Sequence, residues 1–139
     1  MKERPSARSR ILLADDHRAT LAAVKSFLES TYNIVGAVGD GQSLVQAVEQ
    51  LRPDVAVTDI CMPGMDGLAA ARRVRELGSN TRVVFLTVQG GPEYLQAAID
   101  AGAIGYVLKY RLATDLPLAI DAALAGQRFI SPPLDDLYL

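Results

Sequence analysis

At 139 residues, half of them hydrophobic, the chain has material for one domain with a substantial apolar core and no room for a second folded unit. Fourteen Lys and Arg against sixteen Asp and Glu give a net charge of -2, which does not favour non-specific nucleic-acid binding through the whole surface, and the absence of tryptophan with few tyrosines leaves little material for base stacking. A single cysteine, Cys61, excludes an internal disulfide and a multi-cysteine metal site; no run approaches the roughly eighteen apolar residues of a membrane span, and no apolar signal segment follows the charged start, so a cytoplasmic protein is expected.

The chain begins with Lys2, Arg4, Arg8 and Arg10 mixed with Pro5, Ser6 and Ser9, so residues 1–8 read as a flexible basic tail. Residues 11–14 are too few for a helix and read as a buried strand ending at Asp15. From Arg18 to Leu28 the apolar positions Leu21, Ala22, Val24, Phe27 and Leu28 recur at helical spacing. Residues 33–38 are the second strand; Asp40-Gly41 then turns into a helix carrying Leu44, Val45, Val48 and Leu51, which Pro53 stops. Residues 55–58 form the third strand, 68–77 a helix with Arg72, Arg73 and Arg75 outward, and 82–86 the fourth strand.

Gly90-Gly91-Pro92 opens a helix over 93–101, with proline suited to its first turn and Gly102 to its C-terminal cap. Residues 106–108 are the fifth strand. Thr114 is expected to cap a last helix that runs to Ala125 with Gly126 behind it, placing Pro117 in the turn whose amides have no intrahelical partner. Ser131-Pro132-Pro133 interrupts regular structure, and 131–139 reads as a linker stub or a frayed terminus. Five β-α units with short loops predict an α/β fold: a (βα)5, doubly wound, parallel five-stranded sheet with helices on both faces, flavodoxin-like, over residues 9–130.

If the short apolar runs are parallel strands, their carboxyl ends carry Asp15, Asp16, Asp59 and Lys109 into one cleft, where open α/β sheets bind ligands. Like charges at one strand end repel, and a divalent ion relieves them. Small hard cations such as Mg2+ prefer oxygen, so Asp16 and Asp59 are the expected direct ligands, Asp15 a direct or water-mediated one, and the backbone carbonyl of Cys61 a further oxygen. A carboxylate at Asp59 beside the metal can attack phosphorus, with Lys109 and the Thr87 hydroxyl bonding the phosphoryl oxygens. Each feature has a plainer explanation alone: Asp-Asp as a helix-start cluster, Thr87 as a turn residue, Lys109 as a solvated charge. Their agreement in four separate loops is what a structural account does not explain. His17 is expected to pack at the helix start.

The strings Ile11-Leu12-Leu13-Ala14-Asp15-Asp16-His17, Asp59-Ile60-Cys61-Met62-Pro63-Gly64-Met65-Asp66-Gly67, Leu86-Thr87 and Gly102-Ala103-Ile104-Gly105-Tyr106-Val107-Leu108-Lys109 resemble, in order and spacing, the receiver domain of bacterial two-component response regulators. Pro92-Glu93-Tyr94 with the last string is similar to the LuxR or NarL-type subfamily, whose members usually carry a C-terminal helix-turn-helix. The resemblance implies that Asp59 takes a phosphoryl group from a histidine kinase or phosphotransfer protein, that Asp15 and Asp16 organise magnesium, that Lys109 pairs with the phosphate, and that Thr87 and Tyr106 switch the surface of the fourth helix, fifth strand and fifth helix. The chain departs from many relatives in following the lysine with Tyr110-Arg111.

Gln89 and Cys61, two residues past Thr87 and Asp59, are placed to screen an acyl phosphate from water and so to tune its lifetime. The expected role is a phosphorylation-dependent signalling switch and not an enzyme, with transcriptional output through a DNA-binding domain outside this chain. A homodimer is a conceivable assembly; direct DNA binding and membrane partners are not expected. The alternatives are a magnesium-dependent phosphohydrolase, which needs a second group near Asp59 to activate water, and a receiver-like docking domain that works without phosphorylation.

Overall fold

The structure, a computed structural model, describes residues 8–138, so all of the expected tail at 1–8 except Arg8 lies outside the described residues. Strands β1 (Arg10–Ala14), β2 (Asn33–Val38), β3 (Val55–Thr58), β4 (Arg82–Thr87) and β5 (Gly105–Leu108) alternate with helices α1 (Arg18–Leu28), α2 (Gly41–Leu51), α3 (Gly67–Glu76), α4 (Pro92–Asp100) and α5 (Leu112–Leu124). The five expected strands lie in the order β2-β1-β3-β4-β5, and a short sixth, β6 (Phe129–Ile130), adds to the far edge; all pairings are parallel. Two residues are too few to show a period, which is why β6 is not visible in the sequence pattern.

Both faces of the sheet are covered. Ile11, Leu13, Val57, Val84 and Val107 point to one face, against Val24 and Leu28 of α1 and Leu116 and Ile120 of α5. Leu12, Ala14 and Ala56 pack on the other with Leu44 and Val48 of α2 and Ala70 and Val74 of α3, while Phe85, Tyr106 and Leu108 meet Leu95 and Ala98 of α4. Strands buried on both sides need continuous apolar runs, and that is what the sequence carries.

Helix starts follow local chemistry. The Asp40 side chain accepts from the Ser43 amide (2.8 Å) to cap α2, and Asp66 accepts from Ala69 (2.8 Å) to cap α3. The expected cap at Thr114 is not found: α5 begins at Leu112, so Thr114 lies inside the helix and no side chain caps its start. The reason is that a 3-10 turn, Lys109–Arg111, already winds the chain as it leaves β5, and Arg111 pairs with Asp115 one turn on. Pro117 therefore sits in the second turn of α5 rather than the first, and the helix continues through it at the cost of one i to i-4 bond.

The register delivers the site. Ala14 pairs with Thr58, and the Asp59 amide donates to the Ala14 carbonyl (3.0 Å), so Asp15 and Asp59 emerge side by side where the strand order reverses between β1 and β3. The loop after Asp59 is folded tightly back: the Gly67 amide donates to Ile60 O (2.7 Å), and a Cβ on Gly67 would lie 2.0 Å from the Asp59 carbonyl oxygen. Gly67→Ala should therefore cost about 2 kcal/mol of stability by overpacking against fixed backbone. Urea unfolding reads this, and an unchanged midpoint would contradict the close approach.

Candidate functional site

Asp15 and Asp59, only 5% and 7% exposed, close off the ends of β1 and β3, with Asp16 and His17 outside them toward solvent. One ligating atom from each of Asp15, Asp16, His17 and Asp59 lies within 4.8 Å of the others. Three carboxylates and an imidazole form a cluster able to hold a divalent metal, and the predominance of carboxylate oxygen fits a small hard cation. His17 is not packed as expected. It stands at the N-terminus of α1 with its side chain 72% exposed, and its Nδ1 is 3.4 Å from Asp15 and 3.3 Å from Asp16. It also lies nearer Asp59 than its place in the sequence suggests, because β1 and β3 are neighbours.

Lys109 ties the acidic pair together: its Nζ donates to Asp15 Oδ2 (2.9 Å) and to Asp59 Oδ2 (3.1 Å). Burial works against its charge, but the hydrogen bonds and attraction from both carboxylates outweigh it and hold the ammonium above its usual proton affinity. The other oxygens are also engaged, Asp59 Oδ1 accepting from the Ile60 amide (2.7 Å) and Asp15 Oδ1 from His17 (2.9 Å).

A second group sits at the rim. Thr87, fully buried at the end of β4, accepts at Oγ1 from the Gln89 amide (3.1 Å). The Gln89 carbonyl in turn accepts from the Tyr106 hydroxyl (2.6 Å), and its side-chain amide donates to Cys61 Sγ (3.7 Å), across from the loop that follows Asp59. Tyr106 is thus inward, with its phenol held protonated first by burial and then by Tyr94, Cys61 and Asp59 nearby. Gln89 is the hub joining Thr87, Tyr106 and Cys61, a role the sequence suggests only through spacing.

Two further residues, Asp115 and Ser131, carry no functional expectation from the sequence. Asp115, 2% exposed, accepts from Arg111 Nε (2.6 Å) and Nη2 (3.3 Å) and from the Ser131 hydroxyl (2.7 Å), while Ser131 Oγ accepts from the Leu108 amide (3.1 Å). The spacing of Arg111 and Asp115 was the available signal; nothing local marks Ser131. Arg111 of the unusual Tyr110-Arg111 pair is turned back onto α5, and Tyr110 is exposed.

The family profile of the response regulator receiver domain matches residues 11–121. The chain belongs to that family. It is 38% identical over 131 residues to the transcriptional regulatory protein DesR of Bacillus subtilis, covering 92% of this chain and 65% of the relative. It is 35% identical over 126 residues to the nitrate/nitrite response regulator protein NarL of Escherichia coli K12, covering 89% and 58%. The chain thus spans less than two thirds of the length of these curated relatives.

Among solved structures, a LuxR-family two-component response regulator from Aurantimonas superposes with a TM-score of 0.89 at 31% identity, covering 94% of both chains. The signal receiver domain of the putative response regulator NarL from Mycobacterium tuberculosis gives 0.83 at 31%, covering 86% of this chain and 98% of that one. The receiver fold and the acidic cleft are consistent with a phosphoaccepting role in signalling, and receiver domains are generally signalling modules without turnover of an external substrate. Among the described residues no helix is long and apolar enough to cross a membrane.

Burial favours protonation of Asp115, yet its bonds from Arg111 and Ser131 and the charge of Arg111 win and hold it below the usual 3.8. A carboxylate lowered in the folded state adds stability above its unfolded value and loses it as pH falls through the folded one. Between pH 5 and 2.5 the urea midpoint of the native chain should fall more steeply than that of Asp115→Asn. Parallel curves would contradict the pairing.

Proposed function

We propose that the chain is a phosphorylation-controlled switch in which Asp59 accepts a phosphoryl group from a phosphohistidine of a kinase or phosphotransfer protein. The P–N bond breaks as an Asp59 oxygen bonds to phosphorus, and the histidine nitrogen keeps the electron pair and takes up a proton. The observation that carries this reading is Asp59 itself: buried at the topological switch point, with an ammonium 3.1 Å away and two more acids within reach. Asp15, Asp16 and Asp59, with the Cys61 backbone carbonyl, are proposed to hold Mg2+, which when bound offsets the charge of the incoming phosphoryl oxygens. Lys109 is then drawn to a phosphoryl oxygen in place of a carboxylate.

Phosphorylation adds about -1.5 to -2 charges and three strong acceptors. The Thr87 hydroxyl can donate to a phosphoryl oxygen, and turning toward it draws Oγ1 away from the Gln89 amide that it accepts from; Gln89 also holds Tyr106, so movement at Thr87 frees the aromatic on β5. Reversing a 1:99 equilibrium takes about 5.5 kcal/mol, within reach of several charge-assisted bonds. The changed face of α4, β5 and α5 is the proposed output. Since similar proteins are transcriptional regulators longer than this chain, we assign that output to a DNA-binding domain not among these residues, in the cytoplasm, with dimerisation as a means of transmission.

The phosphohydrolase reading gains one point, because His17 stands closer to Asp59 than the sequence suggested and could address water. It fails on the placement of that imidazole: His17 Nδ1 is engaged with Asp15 (3.4 Å) and Asp16 (3.3 Å) rather than aimed at Asp59.

Magnesium with a small phosphodonor should add one phosphate to the intact mass, absent in Asp59→Ala and absent without the metal. Many turnovers of the donor without a stable adduct would favour the hydrolase. The rim contact between Gln89 and Cys61 leads to a separate expectation: Gln89→Ala and Cys61→Ala should each shorten the phosphorylated state several-fold, about 1 kcal/mol of barrier, by opening the cleft to water. Unchanged phosphate loss in both would remove these residues from lifetime control.

A further inference from the structure

Lys109 alone bridges the two buried carboxylates, yet it stands at the first residue past β5, in a three-residue 3-10 turn leading to a helix without a side-chain cap. The β4 pairing holds the chain as far as Leu108, and the Lys109 carbonyl accepts from the Leu112 amide, but neither of these bonds comes from the segment after β6. The neighbours of Lys109 add bonds that do. Leu108, immediately before it, donates its amide to Ser131 Oγ (3.1 Å), and the Ser131 hydroxyl donates to Asp115 Oδ2 (2.7 Å). Arg111, two residues after it, donates to both oxygens of the same carboxylate. Lys109 is therefore held between two anchors that meet on one buried acid.

The chemistry argues for more than space filling. Apolar residues at 115 and 131 would fill the same volume without burying a carboxylate and a hydroxyl, which is costly unless both are fully bonded. Strand β6 pairs only with Gly105 and Tyr106, and the Ser131 amide still reaches Tyr106 O (2.9 Å) before Pro132-Pro133 leads into a 3-10 turn over Leu134–Tyr138 whose Leu134 packs back on the core. The Ser131 side chain then takes the Leu108 amide, extending the edge by one bond to the residue next to Lys109.

We propose that Asp115 and Ser131 form a positioning clamp for Lys109, by which the segment following β6 sets where the ammonium lies between Asp15 and Asp59. Neither residue touches the reacting atoms; both act through the backbone on either side of the lysine. The clamp rests on the phosphoacceptor reading, and it gives the C-terminal segment a direct bonded route to the site in addition to the α4, β5 and α5 face.

The test uses the whole chain with magnesium and phosphoramidate, reading the initial rate of adduct formation by intact mass. Ser131→Ala should slow phosphorylation about tenfold, as expected for loss of orientation, and should add no further slowing in a Lys109→Ala background. Amide hydrogen exchange at Leu108 should accelerate in Ser131→Ala. A native rate, or an equal slowing with and without Lys109, would overturn the clamp while leaving the phosphoacceptor reading intact. An adduct that persists in Asp59→Ala would overturn that reading and the clamp with it. If Ser131→Ala does not fold, Arg111→Ala removes the other anchor from a side chain one third exposed, and the same dependence on Lys109 decides the matter.

Discussion

The structure turns on one ion triad, the Lys109 ammonium between the carboxylates of Asp15 and Asp59. Two nearly buried acids at neighbouring strand ends repel each other, and burial raises the cost of both charges. A single cation reaching across from β5 makes the arrangement tolerable. It is also the feature that must change for the proposed switch, because a metal entering the cleft competes with the ammonium for carboxylate oxygens and a phosphoryl group competes with the carboxylates for the ammonium. The resting site is thus satisfied but poised, its stability and its function resting on the same three side chains.

Two hydrogen-bond networks flank that triad, one at the end of β4 and one at the end of β5. On the β4 side, Gln89 uses its amide for Thr87, its carbonyl for Tyr106 and its side chain for Cys61, so one turn joins the buried hydroxyl, the core aromatic and the loop after Asp59. On the β5 side, Asp115 gathers Arg111 and Ser131 around the turn that carries Lys109. Among the described residues no buried side-chain nitrogen or oxygen is left without a partner. Low dielectric makes such networks all-or-none: a bond broken in one member leaves another exposed to the full desolvation penalty. That property suits a site that must pass between two discrete arrangements.

Much of this was legible in the chain order. Apolar runs at 11–14, 55–58 and 82–86, each followed by a helical period, specify strands buried on both faces, and β-α alternation leaves a parallel sheet as the solution. Acids at the ends of two runs and a lysine at the end of a third could be read as one cluster for the same reason. The errors have equally specific causes. Thr114 carried the right chemistry for a cap, but the 3-10 turn and the Arg111 to Asp115 pair start α5 earlier. His17 opens α1, which suggests packing at a helix start, but its side chain turns to solvent beside Asp15 and Asp16 and comes near Asp59 only because β1 pairs with β3.

The sequence by itself determined the element types, the parallel architecture and the residue types assembled at the strand ends, because hydrophobic period and strand-end chemistry are local properties. Only the tertiary structure decided that Lys109 bonds both acids, that Tyr106 points inward onto Gln89, and that Ser131 reaches back to Asp115 and the Leu108 amide. Those depend on register and on which strand lies beside which. A one-residue slip between β1 and β3 would leave every local signal unchanged and take Asp15 away from Asp59.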